Sequence, residues 1–155
     1  MTTNYKHIVV AVDGSQASEK AFKQAIAIAK RNNAQLVIAH VVDTKTISTA
    51  ETYDQSLINR SEIYATQLLE DYQQQAMIEG VSNVETHIDY GSPKIRIPKH
   101  VAKKFEADLI ICGATGLNAV ERFLIGSVSE NITRYASCDV LVVRSEQDEV
   151  EDDDE

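Results

Sequence analysis

Cysteine and histidine are few, and none is spaced as in a metal site. The chain has two cysteines, Cys112 and Cys138, and no Cys-x-x-Cys pair. Both lie in or beside apolar runs, so we predict buried, reduced thiols rather than a disulfide or a redox pair. The four histidines are spread over three predicted strands and a helix, which does not match the ligand spacing of a zinc site: His7, His40, His87 and His100.

Long hydrophobic runs are also missing. The apolar stretch near the start extends only from Ile8 to Val12 and is followed at once by Asp13. It is too short for a membrane span and does not have the form of a signal peptide. We therefore expect a cytoplasmic protein without membrane contact.

Positive charge is not concentrated anywhere, whereas negative charge is concentrated at one end. The net charge is −9, but eight of the last ten residues are acidic and none is basic, so residues 1–145 carry close to −1. Without a basic patch we expect no nucleic-acid binding. We interpret residues 1–145 as one domain and residues 146–155 as a disordered, acidic C-terminal tail.

Two common nucleotide-binding motifs are absent. The first predicted strand ends in Val12-Asp13-Gly14-Ser15, not in the Gly-x-Gly-x-x-Gly of a dinucleotide-binding fold. The Gly-Lys-Ser/Thr of a P-loop does not occur in the chain either. Any nucleotide site must therefore be of another kind.

The sequence does contain a regular alternation of short apolar runs and amphipathic segments. Strands are predicted at residues 7–12, 35–42, 84–90, 108–112 and 140–144, and helices at 15–32, 52–78, 93–105 and 127–135. The strands are almost continuously apolar, as in a sheet covered by helices on both faces. This order predicts a single α/β domain with a doubly wound, five-stranded parallel sheet and right-handed crossovers.

Glycines bracket the loop that follows the fourth predicted strand. Gly113 and Gly116 come first, nine residues separate Gly116 from Gly126, and Ser127 begins the next helix. Glycine lets the backbone approach a phosphate, and a helix start supplies free N–H groups, to which Ser127 and Ser129 would add hydroxyls. The same glycines could equally end a strand, make a turn and precede a helix. Spacing alone leaves both interpretations open.

The chain resembles the universal stress protein family from its first predicted strand to Arg144. The resemblance is carried by HIVVAVDGSQASEKA at the start, by Gly113-x2-Gly116-x9-Gly126-Ser127, and by SVSENITRYASCDVLVVR at the end. In that family the glycine pattern marks the members that bind ATP. The resemblance implies a Rossmann-like domain of the adenine nucleotide alpha hydrolase-like type, with the strand order 3-2-1-4-5. It also implies that the domain binds ATP, or ADP or AMP, with Mg or Mn held through the phosphates.

The resemblance also implies positions for the ligand and for a partner. Asp13 would lie near the ribose or a phosphate-bound metal. Val41 would flank the adenine, and Ala11 and Val12 would complete that wall. A homodimer would form through the last strand, from Val140 to Arg144, whose apolar edge would otherwise invite association. The phosphates and ribose would be surrounded by Gly113, Gly116, Gly126, Ser127, Val128 and Ser129.

The sequence shows no nucleophile with a neighbouring base, so we expect an ATP-dependent stress-response module with slow or absent hydrolysis. A nucleotide-free dimeric scaffold is an alternative. An ATP-hydrolysing enzyme of the same architecture would need a Ser-Gly-Gly-type loop where Asp13-Gly14-Ser15-Gln16 stands. A response-regulator-like phosphoacceptor would need an aspartate where Tyr90-Gly91 stands.

Overall fold

A computed structural model describes residues 4–44, 55–116 and 125–145 of the chain. Its five parallel strands are His7–Ala11 (β1), Gln35–Asp43 (β2), Val84–Gly91 (β3), Leu109–Gly113 (β4) and Asp139–Val143 (β5). They form one sheet in the order β3-β2-β1-β4-β5, which confirms the predicted topology. Each strand begins and ends within one residue of its predicted bounds. The predicted acidic tail, residues 146–155, lies outside the described residues.

The strands are apolar throughout because both faces of the sheet are covered. In β1, Ile8 and Val10 pack into one cluster of buried side chains, whereas Val9 between them packs into another on the opposite face. The same division occurs in β2, where Leu36 and Val37 belong to different clusters. Successive side chains of a strand point to opposite faces, so burial of both faces removes the polar half of the usual alternation.

Among the described residues, the helices Gln16–Asn32 (α1) and Gln55–Ile78 (α2) cover the first face. The hydroxyl of Ser15 caps α1 by accepting the N–H of Ser18 at 3.1 Å. α2 is followed by Gly80 at φ +105°, in the left-handed region that glycine adopts without strain. The two helices meet at Phe22 and Tyr72, whose ring centroids are 4.4 Å apart. The predicted first residues of α2, 52–54, lie outside the described residues.

The opposite face carries Pro93–Arg96 (α3), Ala102–Lys104 (α4) and Ser127–Tyr135 (α5). The sequence predicts one continuous helix over residues 93–105. The structure instead inserts a π-helical turn, Ile97–Val101, between α3 and α4. Proline has no N–H and its ring collides with the carbonyl four residues earlier in an α-helix, so the wider turn accommodates Pro98 without breaking the segment.

Candidate functional site

The chain leaves β1 and β4 toward opposite faces of the sheet, and these strands are neighbours. After β1 it enters α1 on one face, and the helix that follows β4 in the sequence, α5, lies on the other. In open α/β sheets, such a divergence leaves a crevice at the carboxyl ends of the two strands, where ligands bind. The turn after β1 and the glycines after β4 are thereby brought together, although they are about 100 residues apart in the sequence.

Asp13 lies in the turn that follows β1, at this edge of the sheet. Its Oδ1 accepts the N–H of Ser15 at 2.9 Å, and its own N–H donates to the Ser18 hydroxyl at 3.2 Å. These two hydrogen bonds fix the conformation of the turn and the position of the Asp13 carboxylate. The other oxygen, Oδ2, faces Gly116: a Cβ built on that glycine would lie 3.2 Å from it. The structure therefore brings together two residues, Asp13 and Gly116, that the sequence analysis assigned to one site.

The three loop glycines have different surroundings. A Cβ on Gly113 would lie 2.7 Å from the carbonyl carbon of Ala17 and 2.9 Å from the nitrogen of Ser18. Because Gly113 has no side chain, α1 packs closely on the end of β4. The atoms of α1 fill the space beside Gly113, so no ligand fits there. Gly116, in contrast, is exposed, and a Cβ there would meet only the Asp13 carboxylate. Residues 117–124 of the loop lie outside the described residues.

Gly126 connects the loop back to the end of β4. Its N–H donates to the carbonyl of Ala114 at 2.7 Å, and Ala114 in turn donates to the carbonyl of Val143 in β5 at 2.7 Å. A Cβ on Gly126 would lie 3.3 Å from the same Ala114 oxygen, closer than most side chains tolerate. This glycine holds the start of α5 against Gly116 and Thr115.

The two serines of α5 differ in what they can offer a ligand. The Ser129 hydroxyl is buried, with 2% of the residue exposed, and lies within donor distance of the carbonyls of Ala114 (2.9 Å) and Gly126 (3.0 Å). Its single proton is committed to these backbone oxygens. Ser127 is exposed at the first turn of α5, where the backbone N–H groups have no acceptor within the helix. Ser127 and the N–H groups around it are therefore the donors that face outward.

The residues predicted to flank an adenine divide between the two faces of the sheet. Ala11, Val41 and Val128 pack into one apolar cluster, on the α5 side. The side chain of Val12 instead packs into the cluster beneath α1 and is 3% exposed. The side chains of Val12 and Ala11 lie on opposite faces because neighbouring residues of an extended chain point in opposite directions. The contribution of Val12 to the adenine wall stays a prediction.

His40 and Tyr64 lie near the turn after β1 and were not predicted from the sequence as site residues. Nδ1 of His40 lies 2.8 Å from the carbonyl oxygen of Val12; because a carbonyl only accepts, Nδ1 carries the proton. The hydroxyl of Tyr64 in α2 lies so close to Gly14 that a Cβ there would collide with it. Tyr64 is 48% exposed, although its helical spacing indicates a core position. No local signal in the sequence distinguishes it from the buried Tyr72 two turns later.

Burial and nearby charge affect ionisable groups around this crevice. Burial raises the pKa of the Tyr72 phenol, and the carboxylates of Glu19 and Asp13 raise it further, because an added negative charge would be repelled. Both cysteines are free thiols: Cys112 is buried, which raises its pKa to about 12, and Cys138 is half-buried.

Within the described ranges no three histidine, cysteine or acidic side chains are grouped as a metal site would require. None of the described helices is long and apolar enough to cross a membrane.

Fold and site together define an α/β protein with a five-stranded parallel sheet, and its candidate site lies where the chain diverges at the sheet edge. The model of the universal stress protein family matches residues 4–144. A Staphylococcus haemolyticus protein named for that family is 52% identical over 143 residues, covering 92% of this chain and 87% of the relative. The chain belongs to the universal stress protein family.

Solved structures agree with this assignment. Universal stress protein UspA from Lactobacillus plantarum is 32% identical and superposes with a TM-score of 0.80 over 92% of this chain and 100% of that one. A universal stress protein solved in complex with cAMP is 29% identical, with a TM-score of 0.68 over 92% of this chain and 99% of that one. The domain has the Rossmann-like fold of these proteins.

Proposed function

We propose that this protein binds ATP, or ADP or AMP, at the crevice between β1 and β4 and acts as a nucleotide-dependent stress-response module. The observation that carries the proposal is the placement of Gly116, which is exposed between the Asp13 carboxylate and the start of α5. A similar protein in complex with cAMP supports an adenine nucleotide as the ligand class.

In this proposal the phosphates lie over Gly116 and the first turn of α5. Gly116 and Gly126 supply the backbone approach, and the N–H groups from Ser127 onward supply donors and the positive end of the helix dipole. Gly113 and Ser129 act indirectly, since one permits the packing of α1 and the other ties α5 to Ala114.

The adenine and the metal would use the remaining residues. The apolar cluster that contains Ala11, Val41 and Val128 offers a wall for the flat base. Carboxylate oxygens are preferred ligands of Mg²⁺, which is usually held by one or two protein oxygens together with substrate phosphates. Oδ2 of Asp13, directed toward Gly116, fits that role. The ion would neutralise phosphate charge beside this carboxylate.

The proposal includes slow hydrolysis or none. Asp13 is held by the turn through Oδ1, and the Ser129 proton is committed to backbone carbonyls, so neither is arranged as a nucleophile with a base. We further propose a cytoplasmic homodimer paired through β5, which lies at one edge of the sheet. Sedimentation equilibrium should then give about twice the chain mass of 17.2 kDa.

Calorimetric titration of ATP with Mg²⁺ tests the nucleotide site. Gly116→Val should abolish binding, because the new side chain would occupy the phosphate position. Ser127→Ala should weaken it about tenfold, as expected for loss of one hydrogen bond to a charged group, worth about 1.5 kcal/mol. Ser82→Ala, an exposed serine after α2, is the matched control and should bind as the wild type does. Unchanged affinity in Gly116→Val would overturn the site, and no binding by the wild type would favour a nucleotide-free dimeric scaffold.

A further inference from the structure

The imidazole of His40, in β2, lies beside the turn that carries Asp13. The backbone pairing of β1 with β2 extends to Ala11 and Ala39, and the N–H of Val12 donates to the carbonyl of Ala39 at 2.9 Å. The carbonyl of Val12 accepts a side-chain hydrogen bond, from Nδ1 of His40 at 2.8 Å. A side chain of β2 therefore holds the backbone at the point where β1 leads into the turn.

The hydrogen bond from His40 orients one particular peptide group. The Val12 carbonyl and the Asp13 N–H belong to the same planar unit and point in opposite directions. Nδ1 of His40 donates to the carbonyl at 2.8 Å, and the N–H donates to the Ser18 hydroxyl at 3.2 Å. Because the two hydrogen bonds hold opposite sides of the unit, they fix its rotation. That rotation sets the direction in which the Asp13 side chain leaves the backbone.

The direction of the Asp13 side chain decides what its carboxylate meets. Oδ1 accepts the N–H of Ser15 at 2.9 Å, and Oδ2 faces Gly116. A rotated peptide unit would turn Oδ2 away from Gly116, where the proposed phosphates and their metal ion lie. His40 affects this carboxylate through the backbone, since its hydrogen bond ends on the Val12 carbonyl.

Tyr64 of α2 contacts both the imidazole and the turn. Its ring meets the ring of His40 in a T-shaped arrangement, with centroids 6.2 Å apart, a common geometry for paired aromatic side chains. Its hydroxyl lies against Gly14. Among the described residues, Tyr64 belongs to none of the clusters of buried apolar side chains. Its contacts therefore bear on the turn and on His40 more than on the core.

We propose that His40 is a positioning residue for the nucleotide site: its hydrogen bond to the Val12 carbonyl holds the Asp13 carboxylate toward Gly116. This inference rests on the proposed function, in which that carboxylate serves a metal ion and the phosphates. His40 acts through Asp13 rather than by contact with the nucleotide. Loss of its hydrogen bond should therefore weaken the metal-dependent part of ATP binding.

Three variants separate the hydrogen bond from the bulk of the side chain. Asparagine has an amide nitrogen two bonds from Cβ, as Nδ1 is in histidine, so His40→Asn keeps a donor for the Val12 carbonyl. Leucine has the same branched shape without a donor, so His40→Leu removes the hydrogen bond. His87→Leu is the matched control, because His87 is also half-buried in a strand and meets an aromatic ring, that of Phe105, with centroids 5.1 Å apart.

Amide hydrogen exchange without nucleotide tests the positioning directly. The Ser15 N–H, which donates to Asp13, should exchange about tenfold faster in His40→Leu than in the wild type, as expected for loss of one hydrogen bond. The Val9 amide in β1 is the reference for global unfolding. His40→Asn should stay within about threefold of the wild type, and His87→Leu should match it. Unchanged Ser15 exchange in His40→Leu, or equal acceleration in His40→Asn, would overturn the proposal.

Titration of ATP in Mg²⁺ and in EDTA tests the route through Asp13. His40→Leu should lower the affinity about tenfold with Mg²⁺ and less than about twofold in EDTA, and His40→Asn should restore it. His40→Leu should cause no further loss in an Asp13→Asn background, because both changes act through one carboxylate. Equal loss with and without Mg²⁺, or additive loss in the double variant, would contradict the positioning role.

The two measurements distinguish failure of this inference from failure of the proposed function. If the wild type binds no ATP, the proposed function fails, and the nucleotide role of His40 fails with it. If the wild type binds ATP with Mg²⁺ and His40→Leu binds it equally well, only the positioning role of His40 is overturned.

Discussion

Replacement of Gly113 by alanine should destabilise the fold far more than the same change at Gly116. The added Cβ would lie 2.7 Å from the carbonyl carbon and Cβ of Ala17 and 2.9 Å from the nitrogen of Ser18. Carbon atoms in contact prefer about 3.5–4.0 Å, so α1 would have to shift by about 1 Å. Because backbone atoms must move rather than a flexible side chain, we expect a cost near the upper end of the overpacking range, about 3 kcal/mol.

Urea unfolding followed by circular dichroism measures this difference, and thermal unfolding checks it. A loss of about 3 kcal/mol corresponds to a melting temperature lowered by about 6–12 °C in a domain of this size. Gly116→Ala is the matched control: its Cβ would meet only an Asp13 oxygen at 3.2 Å on the exposed side, and the loss should stay below about 0.5 kcal/mol. If Gly113→Ala stays within about 0.5 kcal/mol of the wild type, the assignment of Gly113 to helix packing is refuted.

Three further predictions concern the cap of α1, an ion pair and the thiols. Ser15→Ala should cost about 1 kcal/mol of unfolding free energy in urea because α1 loses its capping oxygen, and an unchanged midpoint would contradict that role. Burial alone would raise the pKa of Asp89, but hydrogen bonds, chiefly from Arg96 at 2.8 Å, lower this pKa overall. The ion pair therefore stabilises the fold fully above the pKa of an unfolded aspartate, about 4, and this stabilisation decreases as the pH falls below it. The stability difference between the wild type and Arg96→Gln should therefore shrink below about pH 4, and a constant difference from pH 7 to 3 would contradict this. A thiol reagent at pH 8 should leave Cys112 unmodified in the native protein, since its pKa is raised to about 12, and modify Cys138 slowly; two rapidly reacting thiols would contradict the burial.

Much of the fold could be predicted because its signals are local. An apolar run without alternation indicates a strand covered on both faces, and Ser15 before an apolar helical stripe indicates a helix start. Departures from prediction arise where local patterns compete. Residues 93–105 have helical periodicity, but Pro98 has no N–H to donate to a backbone carbonyl of the helix. The segment therefore contains a π-helical turn, Ile97–Val101, instead of a continuous α-helix.

The candidate site was predictable in composition but not in the role of each residue. Glycine at three positions indicates a turn or a close approach of the backbone, without indicating which, or what lies beside each glycine. At Gly113 the space is filled by α1, and at Gly126 the Ala114 carbonyl crowds it, whereas at Gly116 it is open toward Asp13. Tyr64 contacts Gly14 through the packing of α2, which no pattern near either residue shows.

The sequence by itself determined the order of strands and helices, the family resemblance and the separation of an acidic end from a nearly neutral body. These follow from the identity and spacing of residues close together in the chain. Only the tertiary structure decided that Asp13 meets Gly116 and that Ala11 and Val12 pack on opposite faces of the sheet. Such contacts join segments about 100 residues apart, and their geometry depends on how closely helices and strands approach, which packing of the whole domain determines.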